Sequence, residues 1–200
     1  DPFILLPLAF AIILGGIGLP VLLELRRRLR TPRVWSLHTK LTVTTTSTLF
    51  VAGALLVTVM EWDNPATLGE LEWWARVTDG FFHGVVPRSG GLNAIDTGRM
   101  EDATLLVTIM LMFVGNGSAG TAGGIKVATL AVIFLVVLAE VRAQDKVHVF
   151  GRRLPHEVIR QSLSLVFLSA TAVALTTVLL LRTTPFGFMP VLFEVVSAFG

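Results

Sequence analysis

Two glycine-containing segments hold the residues whose chemistry points to a function. The first reads Arg88-Ser89-Gly90-Gly91-Leu92-Asn93 and follows a short apolar stretch. Paired glycines reach backbone conformations closed to other residues, so this segment can turn its carbonyl oxygens toward one axis. Rings of carbonyl oxygens replace the hydration shell of a cation in channels. An ordinary Gly-Gly turn is the alternative, and on these residues alone the turn is favoured.

The second segment, here called the glycine loop, spans residues 115–124 and reads GNGSAGTAGG. Five of its ten residues are glycine, which is a poor residue for a helix interior. It interrupts Ala103–Ala139, a stretch of 37 residues whose only charge is Lys126. As one helix this stretch would be about 55 Å long, against a bilayer core of about 30 Å. We therefore predict a broken helix with an irregular loop that faces the protein interior or a wet pathway. Packing through small residues is the alternative, since Gly120 and Gly124 have the required spacing.

The other polar side chains show no catalytic pattern. We find no nucleophile with a base in sequence and no metal-ligand spacing, so we expect neither an enzyme nor a metal site. Lys126 either holds the loop closed through a partner or extends its charge toward the membrane surface. Glu194 is interpreted as a structural acceptor rather than an ion ligand. The histidines without ligand spacing are His38, His83, His148 and His156.

The elements that position these segments are predicted to be membrane helices. The chain of 200 residues is 53% hydrophobic and 15% charged, with a mean hydropathy of +0.75, whereas soluble domains carry about 25% charged residues. Four continuous apolar runs approach the roughly 20 residues that cross a bilayer as helix. A soluble all-α protein with deeply buried helices is the alternative. The runs are Phe3–Leu23, Leu41–Met60, Ala103–Ile125 and Gln161–Leu181.

The charges between the runs predict the topology. Glu24–Lys40 has six basic residues and one acidic residue, and Glu140–Arg160 has five basic and three acidic residues. Glu61–Asp79 has one basic residue, an arginine, and five acidic residues. Because basic loops stay cytoplasmic, the first two lie inside and the third outside. The apolar stretch Leu71–Val86 then starts from the outside and is too short to cross twice. We predict a short helix that enters the membrane and returns as extended backbone.

The C-terminal part repeats this order of elements. Gln161–Leu181 is followed by a turn at Pro185 and by the short apolar stretch Phe186–Phe199. Repeats around a central site are common in membrane transport proteins. Because the chain starts at Asp1 and stops at Gly200 within an apolar stretch, we expect a piece of a longer protein.

Together these segments resemble the Trk/Ktr/HKT superfamily of potassium uptake proteins, and most closely its bacterial TrkH/KtrB type. Phe113–Lys126 resembles the motif F-I-G-G-x-x-G-S-T-G-G-G-I-K, and Arg88–Asp96 resembles the filter motif R-T-A-G-F-N-T-x-D. Leu192–Gly200 resembles F-E-V-V-S-A-F-G, which precedes the last filter of the family. Gly15–Pro20 and Ser36–Lys40 match as well.

The resemblance implies an all-α integral membrane protein of the voltage-gated-like potassium channel superfamily architecture. Repeats of helix, pore half-helix, filter and helix would surround a central pore. Residues 1–35 would be the second helix of repeat two with its cytoplasmic loop, and 36–154 would be repeat three with its following loop. Residues 155–200 would begin repeat four and stop before its filter.

The resemblance also implies site residues for uptake of potassium through a carbonyl-lined filter that an intramembrane loop gates. The filter residues would be Ser89, Gly90, Gly91 and Leu92. The gate would be Gly115, Asn116, Gly117, Ser118, Ala119, Gly120, Thr121, Ala122, Gly123, Gly124 and Lys126. Filter support would come from Arg88, Asn93, Asp96 and Glu194.

The chain departs from the family motifs at several of these positions. Ser89 replaces threonine and keeps the hydroxyl, Gly90 replaces alanine and adds flexibility, and Leu92 replaces an aromatic packing partner. Gly91 retains the filter glycine, which favours potassium over the sodium-preferring relatives that carry serine. In the glycine loop the departures are Asn116, Ala119, Gly120 and Ala122.

The resemblance further implies partners and a location. It predicts a multi-pass homodimer in the bacterial cytoplasmic membrane and a cytosolic nucleotide-binding regulatory subunit of TrkA/KtrA type. Potassium, with sodium as a second possible ion, would be the cargo; no cofactor or nucleic acid is expected. The basic loops 26–40 and 146–160 would contact the regulatory subunit, although anionic lipid explains their charge as well. The open alternatives are sodium-coupled transport, a secondary transporter of another fold with broken helices, and a non-transporting membrane anchor or sensor.

Overall fold

The computed structural model describes residues 2–88, 92, 94–117, 123–144 and 147–200, and this part of the chain is mostly helical. Short 3-10 turns lie at Pro32–Val34, Val86–Arg88 and Thr97–Arg99, and strands β1 (His148–Val149) and β2 (Arg152–Arg153) form a small antiparallel hairpin. The helices are α1 (Pro2–Ile17), α2 (Leu19–Arg28), α3 (Leu37–Met60), α4 (Trp73–Val85), α5 (Asp102–Phe113), α6 (Val127–Val141), α7 (His156–Thr183) and α8 (Phe188–Phe199).

Helices α3 and α7 are each long and apolar enough to cross a membrane. Their 24 and 28 residues extend about 36 and 42 Å at 1.5 Å per residue, which exceeds the bilayer core of about 30 Å. Helix α3 begins where the Ser36 hydroxyl accepts a hydrogen bond of 3.1 Å from the Thr39 N–H, a standard N-cap. The predictions of membrane helices over Leu41–Met60 and Gln161–Leu181 are confirmed.

The first apolar run is not the single helix that we expected. It is divided into α1 and α2, whose axes differ by 98°. Gly18 between them has φ +91°, a conformation that favours glycine, and Pro20 in the first turn of α2 lacks the N–H that would continue α1. The Glu24 carboxylate of α2 then accepts hydrogen bonds from the Ser36 N–H and hydroxyl, both at 2.7 Å, which fixes α2 against the start of α3.

The long stretch Ala103–Ala139 is interrupted, as the glycine content predicts. Helix α5 ends at Phe113 and α6 begins at Val127. The described residues between them, 114–117 and 123–126, are not helical.

The packing of the helices brings together the segments that were predicted to share a side of the membrane. Lys40, in the first turn of α3, lies 5.7 Å from the ring centre of Phe150 in the β hairpin, and both were predicted inside. Glu61, which the charge pattern predicts outside, accepts a hydrogen bond of 3.0 Å from the Glu101 N–H. Between these levels α4 packs on α3 and α1, while α8 packs on α5 and α7.

Candidate functional site

The short helix α4 carries the chain from the surface into the protein interior. Trp73 at its start is 74% exposed, whereas Val85 at its end is fully buried. Glycines permit its close approach to α3, because a Cβ built on Gly84 would overlap the backbone of Ala54, and one on Gly53 would lie 3.0 Å from the Gly84 carbonyl oxygen. The helix agrees with the prediction of a short helix over Leu71–Val86.

The 3-10 turn Val86–Arg88 follows α4 and ends at the filter segment. Ser89, Gly90, Gly91 and Asn93 lie outside the described residues, so their predicted roles stay predictions. Leu92 is described and is 44% exposed. The described residues that flank this segment are Arg88 on one side and Ala94 on the other.

Arg88 is the most buried charged side chain next to this segment, with 1% of its surface exposed. Its Nη2 donates a hydrogen bond of 3.0 Å to the Gly115 carbonyl oxygen, and its Nε donates one of 3.5 Å to that of Val114. Its guanidinium carbon lies 4.7 Å from the ring centre of Phe50, a favourable cation–π distance. Arg88 thus connects the 3-10 turn after α4 to the start of the glycine loop.

Asn116 bonds back to the same turn. Its Nδ2 donates a hydrogen bond of 2.6 Å to the Arg88 carbonyl oxygen, and the side chain is 3% exposed. Arg88 and Asn116 are 28 residues apart in sequence. The predicted filter support and the predicted gate are therefore in direct contact at Arg88, Gly115 and Asn116.

The two ends of the glycine loop lie side by side. Val114 and Ile125 form a parallel β bridge, and the Ile125 N–H donates a hydrogen bond of 3.1 Å to the Phe113 carbonyl oxygen. Gly124 has φ +70°, which allows the chain to turn back here. The loop is consequently closed at its base, while residues 118–122 lie outside the described part of the chain.

The loop base contacts a different helix on each side. The Gly117 N–H donates a hydrogen bond of 2.7 Å to the Gly16 carbonyl oxygen of α1. The Gly124 N–H donates one of 2.8 Å to the Phe199 carbonyl oxygen at the end of α8. Elements assigned to three repeats therefore meet at the loop base.

The other predicted site residues that the structure describes are Asp96, Glu194 and Lys126. Asp96 is exposed and bonds within its own turn, to the Gly98 N–H at 3.0 Å and to Arg99 at 3.3 Å. Glu194 lies on an exposed side of α8. Lys126 is half-buried and directly precedes α6.

A buried carboxylate at the end of α3 was missed by the sequence analysis. Glu61 is fully buried and accepts hydrogen bonds from the side chains of Asn64 at 2.7 Å and Thr67 at 2.6 Å, besides the Glu101 N–H. We call Glu61, Asn64, Thr67 and the Glu101 N–H the outer cluster. An acid directly after an apolar run, followed by Asn and Thr within six residues, was the available signal.

The outer cluster keeps the Glu61 carboxylate ionised. Burial by itself would raise its pKa, but the hydrogen bonds from the Thr67 hydroxyl, the Glu101 N–H and the Asn64 amide act against burial, and the pKa lies below the ordinary glutamate value. Hydrogen bonds to the charged form act in this direction. The cluster joins the end of α3 to the start of α5.

Comparison with known proteins identifies the family. The family described as TrkH, cation transport protein, matches residues 1–200. The chain is 38% identical over its full length to Ktr system potassium uptake protein B of Bacillus subtilis and 32% identical to the protein of that name from Vibrio alginolyticus. It is 31% identical over 99% of its length to the potassium/sodium uptake protein NtpJ of Enterococcus hirae. It covers 45%, 44% and 44% of these relatives, so it spans less than half of their length.

A solved structure shows the same fold. The potassium transporter TrkH from Vibrio parahaemolyticus superposes with a TM-score of 0.77 over 98% of this chain and 42% of its own, at 16% identity. This likeness confirms the predicted helical membrane architecture. The chain belongs to the TrkH family of cation transport proteins.

Proposed function

We propose that this chain is part of a potassium uptake protein in which the filter segment binds the ion and the glycine loop controls its passage. The observation that carries the proposal is the contact of Arg88 with Gly115 and Asn116, at 3.0 and 2.6 Å. It joins the turn before a glycine-rich carbonyl segment to a loop that breaks an adjacent helix. The full-length relatives named potassium uptake proteins support potassium as the cargo.

The orientation of α4 suits a cation. Its buried C-terminal end carries the partial negative charge of the helix dipole, and it precedes Ser89, Gly90 and Gly91, whose carbonyl oxygens would replace water around potassium. The Arg88 guanidinium at this end would donate its hydrogen bonds to the carbonyl oxygens of Val114 and Gly115 and would not act on the ion. Its role would then be to hold the filter base in position.

The glycine loop would obstruct the path below the filter and move aside on activation. Small residues give it a narrow cross-section, and its ends at Val114 and Ile125 lie side by side. A homodimer and a cytosolic nucleotide-binding subunit that acts on the basic inner loops complete the proposal. Sodium is a second candidate ion, because one relative is named a potassium/sodium uptake protein.

Rubidium uptake by the full-length protein tests the proposal, in cells that lack their own potassium uptake. Gly91→Asp places a side chain in the filter and should abolish uptake. Deletion of residues 116–122 should raise it, and the ends can be rejoined, because a Cβ on Gly115 would already touch the Gly123 carbonyl oxygen. Gly187→Asp is the matched control, since an added Cβ there meets only Pro190 at 3.9 Å, and uptake should not change.

The outcomes separate the alternatives. A parent protein that takes up no rubidium, or unchanged uptake in both the Gly91 variant and the deletion, would refute the proposal. Excess sodium in the same assay measures the preference between the two ions. Strong inhibition by sodium would favour the second candidate ion.

A further inference from the structure

Asn116 occupies a small space between two elements that flank the glycine loop. Its amide bonds to the Arg88 carbonyl oxygen at 2.6 Å, and its other side faces Gly16 of α1. A Cβ built on Gly16 would lie 2.7 Å from Oδ1 and 2.8 Å from both Cγ and Nδ2 of Asn116. A side chain at position 16 would therefore require the Asn116 amide to shift from this place.

The contact between the two segments is reciprocal. The Arg88 side chain donates to the backbone of the loop at Gly115, and the Asn116 side chain of the loop donates to the backbone of Arg88. All three residues are buried. We call Arg88, Gly115, Asn116 and Gly16 the inner contact.

Half of this contact depends on a residue that the family motif does not have. The motif carries glycine where this chain carries Asn116, and a glycine supplies no amide to the Arg88 carbonyl oxygen. The backbone bond of Gly117 to Gly16 at 2.7 Å would survive such a change. The side chain of Asn116 is therefore an addition to a connection that already exists through the backbone.

We propose that Asn116 is a positioning residue that holds the glycine loop against the base of the filter in the closed state. Opening then requires its bond to Arg88 to break, so Asn116 sets how readily the loop moves and how firmly the filter base is held. Gly16 is also needed for this role, because its lack of a side chain leaves the space that the Asn116 amide occupies. This inference rests on the proposed function and concerns the regulation of the same site.

The first test removes the amide in the full-length protein together with its own regulatory subunit. Asn116→Gly and Asn116→Ala should each raise the maximal rate of rubidium uptake per folded molecule about fivefold, as expected for one lost hydrogen bond. Both should also increase inhibition by sodium, because the filter base is released. Alanine, unlike glycine, adds no backbone freedom at position 116. Equal effects of the two variants on uptake would therefore attribute the change to the loss of the Asn116 side-chain amide. An unchanged or lower maximal rate in both variants overturns the inference, whereas a purely structural role would change only the amount of folded protein.

The second test uses two neighbouring glycines of α1. Gly16→Ala should displace the Asn116 amide and raise uptake in the parent, but should have no further effect in the Asn116→Gly background. Gly15→Ala gains the same helix propensity yet meets nothing within 4 Å, so it should leave uptake unchanged. An equal effect of Gly16→Ala in both backgrounds overturns the inference.

The controls keep the two proposals distinguishable. A parent that transports rubidium while the Asn116 and Gly16 variants behave like it refutes the positioning role alone. A parent without rubidium uptake refutes the proposed function and, with it, the inference.

Discussion

The outer cluster and the inner contact both join distant segments through buried polar groups, but they differ in how completely these groups are paired. Each carboxylate oxygen of Glu61 in the outer cluster has a hydrogen-bond donor. In the inner contact Nη1 of Arg88 and Oδ1 of Asn116 have no hydrogen-bond partner among the described residues. Fully paired buried networks make a structure rigid, whereas partly paired ones stabilise it less.

This difference agrees with the movement that the proposed function requires. The outer cluster fixes the end of α3 to the start of α5. The inner contact holds a loop whose displacement the proposed function requires. Incomplete pairing lowers the free energy that has to be supplied to separate Arg88 from Asn116.

The largest expected effect comes from breaking the outer cluster. Glu61→Gln replaces an acceptor by an amide that cannot accept from Asn64, Thr67 and the Glu101 N–H together. We expect a loss of about 3 kcal/mol in the free energy of unfolding, since hydrogen bonds to charged groups contribute about 1.5–3 kcal/mol each. Thermal unfolding of the full-length protein in detergent measures the change, and a variant as stable as the parent would contradict it.

A smaller and graded effect is expected from acid. The pKa of Glu61 is lower in the folded protein than in the unfolded chain, so its stabilisation is complete above the unfolded value of about 4.3. It is lost as the pH falls through the folded pKa. The difference in melting temperature between the parent and Glu61→Gln should therefore shrink as the pH is lowered from neutral to below the ordinary glutamate pKa. A constant difference would show that the charge of Glu61 contributes nothing.

The smallest effect is expected at Asp96, which the sequence analysis assigned to filter support. Its ion pair with Arg99 is exposed, with 62% and 67% of the two side chains accessible, and exposed pairs contribute at most about 1 kcal/mol. Asp96→Asn should change neither the melting temperature nor rubidium uptake measurably. A clear loss of uptake in this variant would show that Asp96 belongs to the functional site, and it would weaken the contrast between the outer cluster and the inner contact.

The sequence predicted the elements better than their contacts. The composition, the apolar runs and the glycine content were enough to predict α3, α4, α7 and the interruption between α5 and α6, because membrane thickness limits the length of a helix. The bend at Gly18 was missed, since a glycine next to a Leu-Pro pair reads equally well as part of a continuous apolar run.

The inner contact and the outer cluster could not be predicted for a different reason. Arg88 and Asn116 are 28 residues apart, and Glu61 and Glu101 are 40 apart, so their pairing depends on how the helices pack. Asn116 was visible as a departure from the family motif, but its partner was not. The proposed role of Gly16 follows only from its contact with the Asn116 side chain, which is 100 residues away in the sequence.

The most direct measurement compares rubidium uptake per folded molecule in Asn116→Gly and Glu61→Gln, with the melting temperature determined on the same preparations. We predict that Asn116→Gly raises uptake about fivefold with little change in melting temperature. Glu61→Gln should lower the melting temperature and leave uptake per folded molecule unchanged. If the two variants change stability and uptake in the same proportion, the distinction between a structural outer cluster and a controlling inner contact is wrong.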